Sequence, residues 1–151
     1  MTDTSSVGPD VEVTMMLCDA AQVANGKLYI LGGGVTAVGP NPQPLALAIR
    51  ITLPWDRANI PHTWRIDLVD EDGHPVQGRN EKPVALEGRL EAGRPAGLRP
   101  GSPLSVALAL NVAAIALSRG KSYTFRLSIE GETRPQWRVA FLAREKPTTQ
   151  G

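Results

Sequence analysis

Along most of this chain the apolar residues fall at every second position, the spacing that gathers side chains on one face of a β-strand. Leu45, Leu47, Ile49, Ile51 and Leu53 alternate with Ala46, Ala48, Arg50 and Thr52. The same rule holds for Leu104, Val106, Leu108, Leu110 and Val112, for Tyr123, Phe125, Leu127 and Ile129, and for Trp137, Val139 and Phe141. Weaker versions run through Val11, Val13, Met15 and Leu17, through Trp64, Ile66 and Leu68, and through Val84, Leu86 and Leu90, where Gly88 marks a bulge or a point of close contact. No segment keeps the i, i+3, i+4, i+7 spacing of a long amphipathic helix. The Ala-rich stretch 112–117 is the one helical rival, and it is too short to change the class.

Turn chemistry divides these runs. Asn25-Gly26 can hold positive φ at both central positions of a type I′ turn, so it predicts a hairpin joining the segment that ends near Ala24 to the one that starts at Lys27. Gly32-Gly33-Gly34 then bends or interrupts the second arm. Gly39-Pro40-Asn41-Pro42, Asp72-Gly73-His74-Pro75, the stretch 93–103 and the stretch 131–135 separate the rest. The pattern predicts an all-β domain over 11–144, an antiparallel β-sandwich of about eight strands that is immunoglobulin-like in architecture, with Trp137 and Tyr123 buried. Residues 1–10 and 145–151 read as flexible tails.

Composition narrows the function classes. The chain has 151 residues with 16 Lys and Arg against 15 Asp and Glu, and this near-neutral balance offers no electrostatic invitation to nucleic acid or an anionic membrane. No apolar run approaches the roughly 20 residues of a membrane span, and the polar first ten residues lack the build of a signal peptide, so a cytoplasmic protein is expected. Cys18 is the single cysteine, which excludes an intrachain disulfide and a cysteine-based zinc site.

Candidate chemistry is sparse. Asp70-Glu71-Asp72-Gly73 supplies carboxylates but lacks the ligand spacing of a calcium loop, so a solvated turn accounts for it better. Gly32-Gly33-Gly34 leads into β-type sequence rather than a helix, unlike a phosphate-binding loop. His62 and His74 are the only histidines, and neither they nor Cys18 lie in a nucleophile motif. Twelve of the basic residues are Arg, several at outward strand positions, yet Asp67, Glu87, Glu91 and Glu130 share those registers and point to cross-strand ion pairs. Trp55, in the loop after Leu53, serves either as an interface anchor or as a cap over one end of the sandwich.

The stretch Leu17-Cys18-Asp19-Ala20-Ala21-Gln22-Val23, running through Asn25-Gly26-Lys27-Leu28 to Ile30-Leu31-Gly32, resembles a family of small bacterial and phage proteins known only as a domain of unknown function. Residues 70–76 and 120–132 carry the same resemblance, which spans nearly the whole chain between the tails. It implies a β-sandwich and assigns no activity.

These readings predict a non-enzymatic protein without cofactor or metal. Its partner is expected to be another protein, a second copy of itself ahead of a foreign one. Hairpin 15–38 carries apolar residues on both faces, which a lone hairpin cannot bury, so the candidate interface residues are Met15, Met16, Val23, Leu31 and Trp55. The alternative is a hydrolase or small-ligand-binding protein with a site near Asp19, Asp56 and His62.

Overall fold

The computed structural model describes Gly8 and residues 10–146. Most of the two expected tails lies outside them. Nine strands are present among the described residues: β1 (Glu12–Ala24), β2 (Lys27–Gly33), β3 (Ala37–Val38), β4 (Leu45–Leu53), β5 (His62–Val69), β6 (Ala85–Leu90), β7 (Leu104–Val112), β8 (Ser122–Ile129) and β9 (Arg138–Ala143). The ninth strand beyond the expected eight is β3, two residues long and too short to leave a period in the sequence. Among the described residues helix is confined to the single 3₁₀ turn Trp55–Arg57; the turn at Arg79–Glu81 is not a regular helix, since Asn80 and Glu81 have φ of 62° and 56°. Residues 113–117 form neither helix nor strand.

The strands make a four-stranded sheet ordered β2-β1-β4-β7 and a five-stranded sheet ordered β3-β9-β8-β5-β6. Every pairing is antiparallel except β3 with β9. Leu47, Ile49 and Ile51 from the first sheet and Ile66, Phe125 and Leu127 from the second meet in one core, so the alternation written in the sequence is the alternation between core and surface. Each of these side chains removes apolar area from water at about 25 cal/mol per Å², which is the main driving term for bringing the two sheets together.

Two aromatic residues lock β8 into this core. Tyr123 and Trp137 are both buried, as expected. The Tyr123 ring stacks on Phe141 at 6.0 Å, and its hydroxyl accepts the Ser118 backbone N–H at 2.9 Å, tying the start of β8 to the chain five residues upstream. Tyr123→Phe leaves that N–H without its partner and should lower stability by about 0.5–1.5 kcal/mol. Urea unfolding followed by circular dichroism should therefore show a lower midpoint with an unchanged slope. An unchanged midpoint would mean that water replaces the hydroxyl at no cost.

Candidate functional site

The hairpin forms as its turn residues require: Asn25 and Gly26 have φ of 51° and 72°, and Ala24 pairs with Lys27 across them. Its base is less regular. The ladder runs Cys18 opposite Gly33 and Ala20 opposite Leu31, and it skips Asp19 opposite Gly32. Gly32 has φ of +60°, and a Cβ there would collide with the Asp19 carboxylate. Glycine is required at this point by both backbone and space.

At that kink the hairpin changes face. Cys18 packs outward, away from the main core, against Ala46, Ala48 and Met16, and Ala21 and Leu28 join the same group although Ala21 is three residues from Cys18. The alternation has shifted by one between them, so the far half of the hairpin bends over the outer face of its own sheet. A flat sheet would hold β2 and β7 three steps of about 4.8 Å apart. Here their Cα atoms approach within 8 Å. The result is a small second core built from Cys18 and the two alanines of β4.

The bend decides which residues reach solvent. Ala21 pairs with Ile30 and Val23 with Leu28, on the face turned towards the small core. Gln22 pairs with Tyr29 and Ala20 with Leu31, on the face turned away. Leu31 is 71% exposed and Tyr29 55%, while Val23 at 40% and Ile30 at 37% form the rim. These four belong to one continuous hairpin, whereas Ile60, Leu98 and Leu142, the other exposed large apolar residues among those described, lie on separate elements.

Of the candidate interface residues, the fold leaves Val23 and Leu31 exposed on opposite faces of the hairpin and sets Met16 in the small core. Met15 faces the other way and packs against the main core. Trp55 is half-buried at the opposite end of β4, where the Arg94 guanidinium lies 4.3 Å from its ring and donates to its carbonyl at 2.8 Å. That is the capping arrangement. Tyr29 and Ile30 were absent from the sequence candidates, although the unbroken run Leu28-Tyr29-Ile30-Leu31 is apolar at both parities and carried the signal.

The residues named for the alternative site are spread out. Asp19 adjoins Cys18, which pairs with Ala46 near the start of β4, while Asp56 lies in the 3₁₀ turn after the end of that strand. His62 is buried at the start of β5, its Nδ1 3.4 Å from Glu130 Oε1. The same Oε1 accepts the Thr63 N–H at 3.0 Å. Its Nε2 has no hydrogen-bond partner. Cys18 is fully buried and donates its thiol hydrogen to the Ala46 carbonyl at 3.3 Å; burial, and then the adjacent Asp19 carboxylate, push the thiol pKa up. A protonated, enclosed thiol is a poor nucleophile.

Asp70, Asp72 and His74 place ligand-type atoms within 4.8 Å of one another at the surface. Asp70 Oδ1 accepts the backbone N–H groups of His74 and Asp72, each at 2.9 Å, and the first of these leads in holding the Asp70 carboxyl below its ordinary pKa. The cluster closes its own turn. On β5, the strand that leads into this turn, Arg65 bonds Asp67 of the same strand at 2.8 Å and Glu87 of β6 at 3.3 Å, and the second of these is the cross-strand pairing expected of the outward charges.

A family profile matches residues 13–141, which takes in both sheets and the whole hairpin. The chain belongs to the family of unknown function DUF6941. Comparison with curated proteins and with solved structures found no match. Among the described residues no helix of this DUF6941 protein is long and apolar enough to cross a membrane.

Proposed function

We propose that this DUF6941 protein is a non-catalytic, immunoglobulin-like interaction module that associates with a second copy of itself through the β1–β2 hairpin. The strand order supports the architectural half of the reading. β1-β4-β7 corresponds to the A-B-E order of an immunoglobulin sheet, and β9-β8-β5-β6 to G-F-C with an added C′. Trp64 is buried on the strand equivalent to C, and Tyr123 at the start of the strand equivalent to F bonds back to Ser118, in the manner of a tyrosine corner. Phe125 stands two residues after Tyr123, where antibody domains carry a disulfide cysteine.

In that framework the far half of β1 and all of β2 are additions the main core does not need. The observation that carries the functional half is the exposure of large apolar residues on both faces of this added hairpin, Tyr29 and Leu31 together on the face turned away from the small core and Val23 and Ile30 on the other. Contiguous apolar patches on a soluble protein mark interaction sites. β2 is also an edge strand and is uncharged over residues 28–33, whereas edge strand β6 carries Glu87 and Arg89. Antiparallel pairing of two β2 strands about Ile30 sets Tyr29 of one copy beside Leu31 of the other, which makes the surface self-complementary under a two-fold axis.

Light scattering over a concentration series tests this. The natural chain should move from monomer to dimer as concentration rises, and Leu31→Lys, at a position that contributes little to either core, should stay monomeric, with the natural chain's thermal midpoint at concentrations where both are monomers. A natural chain that remains monomeric at high concentration overturns self-association.

A further inference from the structure

The two sheets do not close along the side where β6 and β7 form their edges. A cavity of about 720 Å³ opens there, lined by Ile66, Val84, Leu86 and Phe125 from the five-stranded sheet and the chain around it, and by Val112 and Ile115 from the end of β7 and the segment after it. It exists because β6 starts only at Ala85 and β7 stops at Val112, leaving residues 113–117 to pass across the gap as irregular chain. Its volume lies in the roughly 300–1,000 Å³ range of small-molecule sites, and its lining is apolar with a few polar groups, the composition such sites have.

A second cavity of about 160 Å³ shares Pro42, Val112, Ile115 and Phe125 with the first, so the two meet beneath the 113–117 segment. Arg119 and Arg144 line this smaller space, and Lys82 lines the larger. Among the described residues these are the only ionic side chains in either wall. None of the three is in an ion pair among the described residues, and no carboxylate lines either cavity. An apolar passage whose charges are all positive is complementary to one kind of small molecule, a long hydrocarbon bearing a single anion. Arginine adds geometry to the charge, since its planar fork matches a carboxylate.

We propose that this cleft binds a single-chain fatty acid, with the hydrocarbon in the larger cavity and the carboxylate in the smaller one against Arg119 and Arg144. Ile115 and Phe125 line both cavities, so a flexible chain that reaches from one to the other passes these two side chains. This site is independent of the hairpin surface.

The test titrates the full chain with cis-parinaric acid, a fatty acid that fluoresces in apolar surroundings. Fluorescence should rise on binding and fall again on addition of palmitate, while hexadecanol, which has the chain without the carboxylate, should compete about tenfold more weakly or worse. The surface double variant Arg119→Glu/Arg144→Glu should weaken binding by about tenfold or more, since each tenfold is only about 1.4 kcal/mol and two charge-assisted contacts are reversed. Ala113→Trp, at an exposed position in the wall of both cavities, should block the probe. Leu31→Lys should leave it unaffected, which separates the cleft from the exposed hairpin. Absence of binding, equal competition by the alcohol, or full affinity in the double variant overturns the proposal. If the double variant fails to fold, the acid-against-alcohol comparison on the natural chain decides alone.

Discussion

Trp137→Ala should destabilise the protein by about 3–5 kcal/mol, the range for truncating a large buried aromatic side chain. For a domain of this size that corresponds to a fall in thermal midpoint of about 10 °C. Trp137 is 2% exposed and sits just before β9, where its carbonyl accepts the Leu127 N–H at 2.9 Å. Its ring also holds a second structure in place. The Arg134 guanidinium lies 4.7 Å over the indole, pairs with Glu132 at 3.1 Å and donates to the Val11 carbonyl at 3.4 Å, so it fastens the entry to β1 across the end of the domain. Removing the ring therefore leaves a cavity and frees the arginine that reaches β1. Trp137→Phe keeps most of the volume and should lose much less. Urea denaturation of the three proteins checks this, and a loss below about 1 kcal/mol for the alanine variant would show that the site collapses without cost, contrary to the packing argument.

The burial of Trp137 and the strand content were legible because they depend on parity alone. A run such as Leu45 to Leu53 has one way to bury its apolar set, and the fold uses it: Leu47, Ile49 and Ile51 are wholly enclosed while Arg50 is exposed. Parity fails where a strand changes face. β1 obeys it through Leu17, which sends the adjacent Met15 and Met16 to opposite faces, and then shifts at Asp19, so Cys18 and Ala21 join one group although parity alone would separate them. The cause is a φ at Gly32 that its glycine permits and that no periodicity records. Ala46 and Ala48 show the same limit from the other side. They occupy outward positions, and they are buried because the hairpin folds over them.

The cleft was hidden for a different reason. β7 has as regular an alternation as β4, yet Val106, Leu108 and Leu110 are only half-buried while the corresponding residues of β4 are enclosed. Which strand is central and which is an edge depends on pairing between residues far apart in sequence, such as Ile49 with Leu108. Local pattern carries no record of that choice. The alternative site failed to assemble by the same logic, since Asp19 and Asp56 are placed at opposite ends of β4 by the register of β1 on it.

Gly88→Val should cost about 1–3 kcal/mol, the typical penalty for forcing extra volume into a packed site. The sequence left Gly88 as either a bulge or a close contact, and the fold selects the contact. Gly88 pairs directly with Trp64 across β5 and β6, and a Cβ at this position would lie 2.8 Å from Trp64 Cζ2 and 3.0 Å from Cε2. Its backbone φ lies outside the left-handed region, so conformational strain contributes nothing and the whole penalty comes from the ring. That ring cannot swing aside cheaply, because Trp64 is buried and belongs to the main core. Gly88→Ala should show a smaller loss of the same sign. The decisive comparison repeats Gly88→Val in a Trp64→Leu background, where the obstructing ring is gone: the valine should then be tolerated, giving a coupling of about 1 kcal/mol or more between the two positions, as expected for residues in direct contact. Equal losses in both backgrounds would place the cost of the valine somewhere other than the indole.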